Sequence, residues 1–309
     1  MRLVALAGGT GASKLLRGLL PLLDDPRDLT IVVNTGDDTE LWGLHISPDL
    51  DSVCYTLSGL GDVRRGWGLR DETFHALEHM ARYGEPTWFG LGDRDLATHI
   101  YRTRLIRAGR TLSEVTALVA AGLGVPPRVL PMSDDPVRTR VLGPDGWLGF
   151  QEYFVREKAA IEVRAVEYTG AEGAAAAPGV AASLREADAV IVCPSNPVTS
   201  IGPILSVAEI AAALADTAAP VIAVSPIVGG DAVSGPAGRL MASRGLPVSP
   251  AGVARAYAPW LDTLVLDERD AAAAGSVRAE GARPVTAATL MVDAAAETAL
   301  ARSVLEALR

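Results

Sequence analysis

Residues 3–38 read LVALAGGTGASKLLRGLLPLLDDPRDLTIVVNTGDD, and the fold follows from that stretch. Leu3 to Ala7 is a short apolar run ending in glycines, the pattern of a buried strand entering a tight turn. From Ser13 to Leu23, the leucines at 15, 16, 19, 20 and 23 recur at helical spacing and make one apolar stripe. Leu29 to Val33 is a second apolar run, closed by Asn34-Thr35-Gly36-Asp37-Asp38. Strand, glycine turn, helix and strand in that order form a βαβ unit, and the right-handed crossover makes the two strands parallel.

Beyond this unit, the pattern is helical from about Asp51 to Gly124. Helices are expected over residues 72–83, with Asp71 as N-cap, 95–108 and 113–123. Residues 128–166 look β-rich. Further buried strands are expected at 187–192, 220–225 and 261–266, with a closing helix at 293–308. The fold class expected is α/β: a doubly wound, mostly parallel Rossmann-like sheet. Residues 1–309 make a single domain, with a mostly helical insertion at about 56–127. In such sheets, ligands sit at the carboxyl ends of the strands. The turns 8–13, 34–38 and 194–200 all occupy that edge and are expected to converge on one crevice.

The chain has 309 residues, 49% hydrophobic and 21% charged, with formal net charge −9. That is a globular composition with ample core. The negative charge excludes broad nucleic-acid binding, because nothing extensive would replace counterions on a phosphate backbone. Cys54 and Cys193 lie far apart, which excludes a disulfide framework and suggests a reducing, cytoplasmic setting. No apolar run is long enough to span a membrane, and the N-terminal one is too short for a signal segment.

Gly8-Gly9-Thr10-Gly11-Ala12-Ser13-Lys14 is suited to an anion. Glycines let backbone N–H groups approach it, the helix N-terminus adds partial positive charge, and Lys14 adds a full one. The spacing is neither a Walker A loop nor a complete dinucleotide fingerprint, since Lys14 stands where a third glycine belongs. Asp37, Asp38, Asp49 and Asp51 follow the second strand. Carboxylates beside a phosphate-binding turn repel phosphate unless a hard cation lies between them. Any one of these aspartates is equally well read as a turn or helix cap. In Pro194-Ser195-Asn196-Pro197-Val198-Thr199-Ser200, the prolines fix the loop and the hydroxyls and amide can bond a base or phosphate. His75-Ala-Leu-Glu78-His79 matches a zinc-protease spelling, but no third ligand is evident, and a solvated helix face explains it better. More than half of the aromatics fall within residues 42–101, among them Trp42, Tyr55, Trp67 and Phe74. Most are read as core, and one or two as the walls of a slot for a flat ring.

The chain resembles the 2-phospho-lactate transferase family, the CofD and FbiA type enzymes of coenzyme F-420 biosynthesis. The resemblance is carried by AGGTGASKLLRGL at 7–19, VVNTGDD at 32–38, ISPDLDSVCYTLSG at 46–59, RGWGLRDETFHAL at 65–77 and LGDRDLATHIYRT at 91–103. It continues through PMSDDPVRT at 131–139, FQEYFVR at 150–156, PSNPVTSIGPIL at 194–205 and SPIVGG at 225–230. Each block alone is modest, and their order together is specific.

The resemblance implies that a three-carbon phospho-acid, 2-phospho-L-lactate or phosphoenolpyruvate, is transferred from its GMP diphosphate conjugate. The acceptor is the terminal ribityl hydroxyl of the deazaflavin Fo, and GMP leaves. It implies Mg²⁺ and a homodimer. Gly8, Gly9, Thr10, Gly11, Lys14, Asn34, Ser195, Asn196 and Pro197 would hold the guanosine diphosphate part. Asp51, Tyr55, Trp67 and Asp93 would face the deazaflavin. Asp51 would be catalytic and, with Asp49 and Asp37, would bind the metal. A regulatory nucleotide-sugar or NAD-binding protein with a similar glycine turn is the rival reading, and an NAD(P) oxidoreductase a second; the LGDRDLATH and FQEY blocks favour the transferase.

Overall fold

Seven strands form one parallel sheet in a computed structural model that describes residues 1–258 and 260–308. They are β1 (Leu3–Ala7), β2 (Leu29–Val33), β3 (Arg128–Pro131), β4 (Ala189–Val192), β5 (Val221–Val224), β6 (Thr263–Asp267) and β7 (Arg283–Ala287). Their spatial order is β7-β6-β5-β4-β1-β2-β3, and every neighbouring pair runs parallel. The chain winds one way from β1 to β3 and the other way from β4 to β7. The order therefore reverses between β1 and β4, and the turns leaving those two strands flank the crevice where such sheets bind ligands.

The five inner strands, β1, β2, β4, β5 and β6, are almost wholly apolar and buried because both sheet faces are covered there. Alternate side chains of β1 enter opposite cores: Val4 and Leu6 on one side, Leu3, Ala5 and Ala7 on the other. Helix α1 (Gly9–Leu19) lays Leu15, Leu16 and Leu19 into the second core. It starts four residues earlier than the leucine spacing suggests. Gly9, at φ +71°, turns the chain directly from strand to helix, so the glycine stretch is the helix's first turn. The regular helix stops at Leu19, two residues before Pro21, which has no N–H to continue the ladder.

Between β2 and β3 lie α2 (Pro48–Leu57), α3 (His75–Arg82), α4 (Asp93–Arg107) and α5 (Leu112–Gly122). Leu50, Val53 and Cys54 of α2 belong to the main core. Helix α3 is shorter than expected. Asp71 sits at φ +51° and does not cap it; Asp93 does so from a distance, accepting the N–H groups of His75 (3.0 Å) and Ala76 (2.9 Å). A three-stranded antiparallel sheet (Arg138–Gly143, Gly146–Gly149 and Ala165–Thr169) follows β3. Strand β7 gave no signal in the sequence: it carries Pro284, which only an edge strand accommodates, and it is the edge.

The closing helix α6 (Ala294–Ala307) is capped by Asp293 and packs along α1. There Arg17 makes a two-point ion pair with Glu297 (2.8 and 2.6 Å). No single described helix is long and apolar enough to cross a membrane.

Candidate active site

The turns after β1, β2 and β4 meet at the carboxyl edge of the sheet. Asn34, the first residue past β2 and wholly buried, joins all three. Its amide donates to Asp49 Oδ2 (2.9 Å) and to the carbonyl of Thr199 (3.2 Å), while its Oδ1 accepts the N–H of Gly36 (2.8 Å). Asp49 in turn accepts the N–H of Gly9 (2.8 Å). Ser195 donates its hydroxyl to the carbonyl of Gly8 (2.7 Å).

The glycines allow this closeness. A Cβ on Gly8 would stand 2.7 Å from Ser200 Cβ, and one on Gly11 would stand 2.4 Å from the carbonyl oxygen of Pro194. Asn196 is bound locally: its Oδ1 accepts the N–H groups of Val198 (2.9 Å) and Thr199 (3.4 Å), capping the turn that Pro197 opens. Lys14 donates to the carbonyl of Met291 (3.2 Å), and Thr10 is exposed at the helix start.

Asp37, Asp38 and Asp49 are all buried at this edge. Burial raises the Asp49 carboxyl to about 6, against the Asn34 and Gly9 hydrogen bonds that lower it. Burial, reinforced by the charge of Asp49, holds Asp37 well above the usual carboxylate range. Among the described residues, Oδ1 of Asp37, Oδ1 of Asp38 and the hydroxyls of Thr35 and Thr199 are buried without a hydrogen-bond partner. Clustered carboxylates, partnerless oxygens and an all-oxygen donor set fit a hard cation such as Mg²⁺. Asp37, with an open oxygen, and Asp49, whose oxygens each accept only one neutral N–H and so keep a lone pair, are the residues that would hold it.

Asp51 stands apart from that set. Both its oxygens are taken by the Arg102 guanidinium of α4, one at 3.1 Å and the other closer. His99 Nδ1 lies 3.7 Å from Asp51, and His99 Nε2 lies 3.2 Å from Asp95. Tyr55 donates its hydroxyl to Asp95 (2.7 Å). Asp51, Asp95 and His99 are close enough together to hold a metal, but a guanidinium already neutralises Asp51, and one donor is a nitrogen. This suits Mg²⁺ less well than the Asp37–Asp49 side does. Burial opposes ionisation of Arg102, but Asp51 more than compensates and raises its pKa. Behind it, Asp38 Oδ2 accepts from Ser47 (2.9 Å) and lies 3.0 Å from His45 Nε2.

A cleft opens beside this edge. Thr10, Ser13 and Lys14 of α1 line it together with Tyr55, Trp67 and Arg70. Of the residues expected at the site, the glycine turn, Asn34, Asp37, Asp49 and the 195–197 loop are brought together. Tyr55 and Trp67 reach the cleft. Asp93 does not; besides capping α3 it accepts the Thr73 hydroxyl (2.6 Å). His75 and His79 are exposed on α3. Sequence reasoning missed Arg102, Asp95 and His99. Their signal was present: positions 95, 99 and 102 share one helix face, and that face is polar yet buried.

The chain is 46% identical to a phosphoenolpyruvate transferase of Streptomyces griseus, covering 99% of this chain and 98% of that one. It is 40% identical to a 2-phospho-L-lactate transferase of Methanosarcina mazei, covering 99% and 100%. A solved structure from Bacillus halodurans, described as a member of the UPF0052 family, matches with TM-score 0.65 and 16% identity over 98% of each chain, a likeness of fold. The model of the family described as 2-phospho-L-lactate transferase CofD matches residues 3–306, and the chain belongs to that family of transferases.

Proposed function

We propose that this enzyme transfers a phospho-three-carbon acid from its GMP diphosphate conjugate to the terminal ribityl hydroxyl of the deazaflavin Fo, in coenzyme F-420 biosynthesis. The ribityl oxygen attacks the phosphorus that carries the three-carbon acid. The bond from that phosphorus to the bridging oxygen breaks, GMP departs with the electron pair, and the hydroxyl proton is lost to a base. Identity of 46% to a phosphoenolpyruvate transferase supports the enolpyruvyl donor, giving the dehydro form of F-420-0. The protein works in the cytoplasm as a homodimer, on small-molecule substrates.

The observation that carries this reading is the meeting of Gly9, Asn34, Asp49 and Thr199 at one edge, beside a cleft walled by Tyr55 and Trp67. The start of α1 and the 195–200 turn bind the guanosine diphosphate part, with Lys14 supplying positive charge. Asp37 and Asp49 hold Mg²⁺, which when bound neutralises the donor's diphosphate. Asp51 is assigned to positioning: with both oxygens engaged by Arg102, it fixes α4 against α2, and so the Tyr55 wall. Transfer of this kind depends mainly on orientation and charge neutralisation.

Mass spectrometry tests the proposal. Purified protein, Fo and Mg²⁺ are incubated with the phosphoenolpyruvyl or the phospholactyl conjugate of GMP. The expected result is Fo-dependent release of GMP and a product of the enolpyruvyl mass. A product two hydrogens heavier, formed in preference, reassigns the donor. No product from either donor refutes the reading.

A further inference from the structure

Gly90 has no backbone need to be glycine. Gly59, Gly66, Gly68 and Gly84 nearby all adopt positive φ, and Gly90 does not. Any L residue fits its backbone. The obstacle is one side chain: a Cβ at position 90 would stand 2.9 Å from Cη2 of Trp67 and 3.5 Å from Cζ3. That is closer than real Cβ atoms approach, so one of the two must move.

The indole is the one that yields. The backbone around Gly90 is anchored, because Leu91 is fully buried in a small core with Leu41 and Ile46, against which Phe89 packs. Just beyond it, Glu72 accepts the N–H groups of Arg94 (2.7 Å) and Asp95 (3.1 Å). Trp67, by contrast, is 45% exposed and sits on a glycine-rich loop between Gly61 and Leu69. Its other contacts are soft. The Arg65 guanidinium lies 5.0 Å from its ring centroid, and Phe74 meets it edge-on at 6.5 Å. Such contacts at a half-exposed ring are too weak to hold the indole against a steric overlap.

We propose that Gly90 is a positioning residue: its missing side chain lets Trp67 lie against the backbone and stand as the wall that receives a flat fused-ring acceptor. The inference rests on the acceptor reading of the cleft. A side chain at position 90 displaces the indole and changes which rings fit, while the guanosine diphosphate end, built from other elements, is untouched.

Steady-state kinetics on Gly90→Ala, Trp67→Ala and the double variant, with Fo and the GMP-linked donor varied in turn, test this. Gly90→Ala is expected to raise KM for Fo on the order of 10-fold, the scale of one misplaced methyl group in an apolar slot. KM for the donor should stay at its wild-type value, and Tm should fall only slightly as the indole leaves Arg65 and Phe74. In the Trp67→Ala background, Gly90→Ala should have no further effect. Additive effects, or an unchanged KM for Fo, would overturn the proposal. A second measurement is independent of turnover. In protein labelled with 5-fluorotryptophan, the ¹⁹F resonance assigned through Trp67→Phe should shift in Gly90→Ala. An unshifted resonance refutes the contact. A shifted resonance in a protein that makes no product retires the acceptor reading instead.

Discussion

Asp51 and Arg102 face each other in the interior as a two-point ion pair, one carboxylate oxygen to each terminal guanidinium nitrogen, with both side chains almost wholly removed from water. The pair joins the first turn of α2 to the middle of α4, and it is the reason a fully buried arginine is tolerated. Removing one partner of such a pair leaves a charge with neither water nor a counterion.

Arg102→Met should therefore cost about 3–5 kcal/mol of stability. Arg102→Lys should fall between it and wild type, because lysine keeps the charge but loses the fork. Adding Asp51→Asn to Arg102→Met should recover part of the loss. Urea unfolding of these variants and of Asp51→Asn alone measures this, and a double variant as unstable as the sum of its two single changes would contradict the pairing.

Asp49 and Asp51 should separate in their metal dependence. Asp49→Asn keeps an oxygen for the Gly9 N–H but removes a charge from the proposed cation site. The Mg²⁺ concentration for half-maximal activity should rise about 10-fold or more. Asp51→Asn should lower stability without that shift. The Asp49 carboxyl, raised to about 6, favours the folded state when protonated. That contribution is full below the ordinary aspartate range and is lost as pH rises through about 6. Bound cation takes the proton's place, so the rise in Tm on adding Mg²⁺ should be larger at pH 7.5 than at pH 5. An equal rise at both would exclude Asp49 as a ligand.

Glycine substitutions should differ in sign by position. Gly11→Ala drives a methyl to within 2.4 Å of the Pro194 carbonyl oxygen and should cost about 1–3 kcal/mol through forced separation of the two turns, with loss of activity. Gly122→Ala, at the end of α5 with nothing within 4 Å of the new methyl, should be neutral or stabilise by up to about 1 kcal/mol. Thermal melts distinguish them.

Cys54 and Cys193 should not react. Burial raises each thiol to about 12, so almost no thiolate forms at pH 8. Iodoacetamide should label neither in the native protein and both after denaturation; rapid native labelling of either would show that its core opens.

Asp267, at the end of β6, should account for part of the acid sensitivity. Burial pushes its carboxyl up, but hydrogen bonds from the Thr289 and Arg269 N–H groups and the Thr289 hydroxyl outweigh it and hold it below the usual range. A depressed carboxyl contributes stability above its unfolded value and loses it as pH falls through the folded one. Asp267→Asn should be less stable than wild type at neutral pH, and its stability should fall less between pH 5 and pH 2. Parallel curves would rule out this role.

Much of the fold was legible because its signals are local. A strand buried on both faces is a short apolar run, an amphipathic helix is a leucine stripe, and the glycine turn between them marks a parallel crossover. The helix and strand ends were less legible. Gly9 turns the chain into α1 early, and Asp93 caps α3 from 18 residues away from His75, which no local pattern announces. The edge strand β7 stayed hidden because its proline is tolerated only where one side has no neighbour.

Which turns share the ligand edge can be read along the chain, since residues following parallel strands must lie at one end of the sheet. The sequence also supplied the family resemblance through the order of its motifs. What surrounds each aspartate is set by the folded packing alone. Asp49 and Asp51 are two residues apart on one helix, yet one is held by Asn34 and Gly9 and the other by Arg102. The role of a buried carboxylate is fixed by which donors and cations surround it. Those neighbours come from strands and helices far away along the chain, so composition and spacing do not specify them.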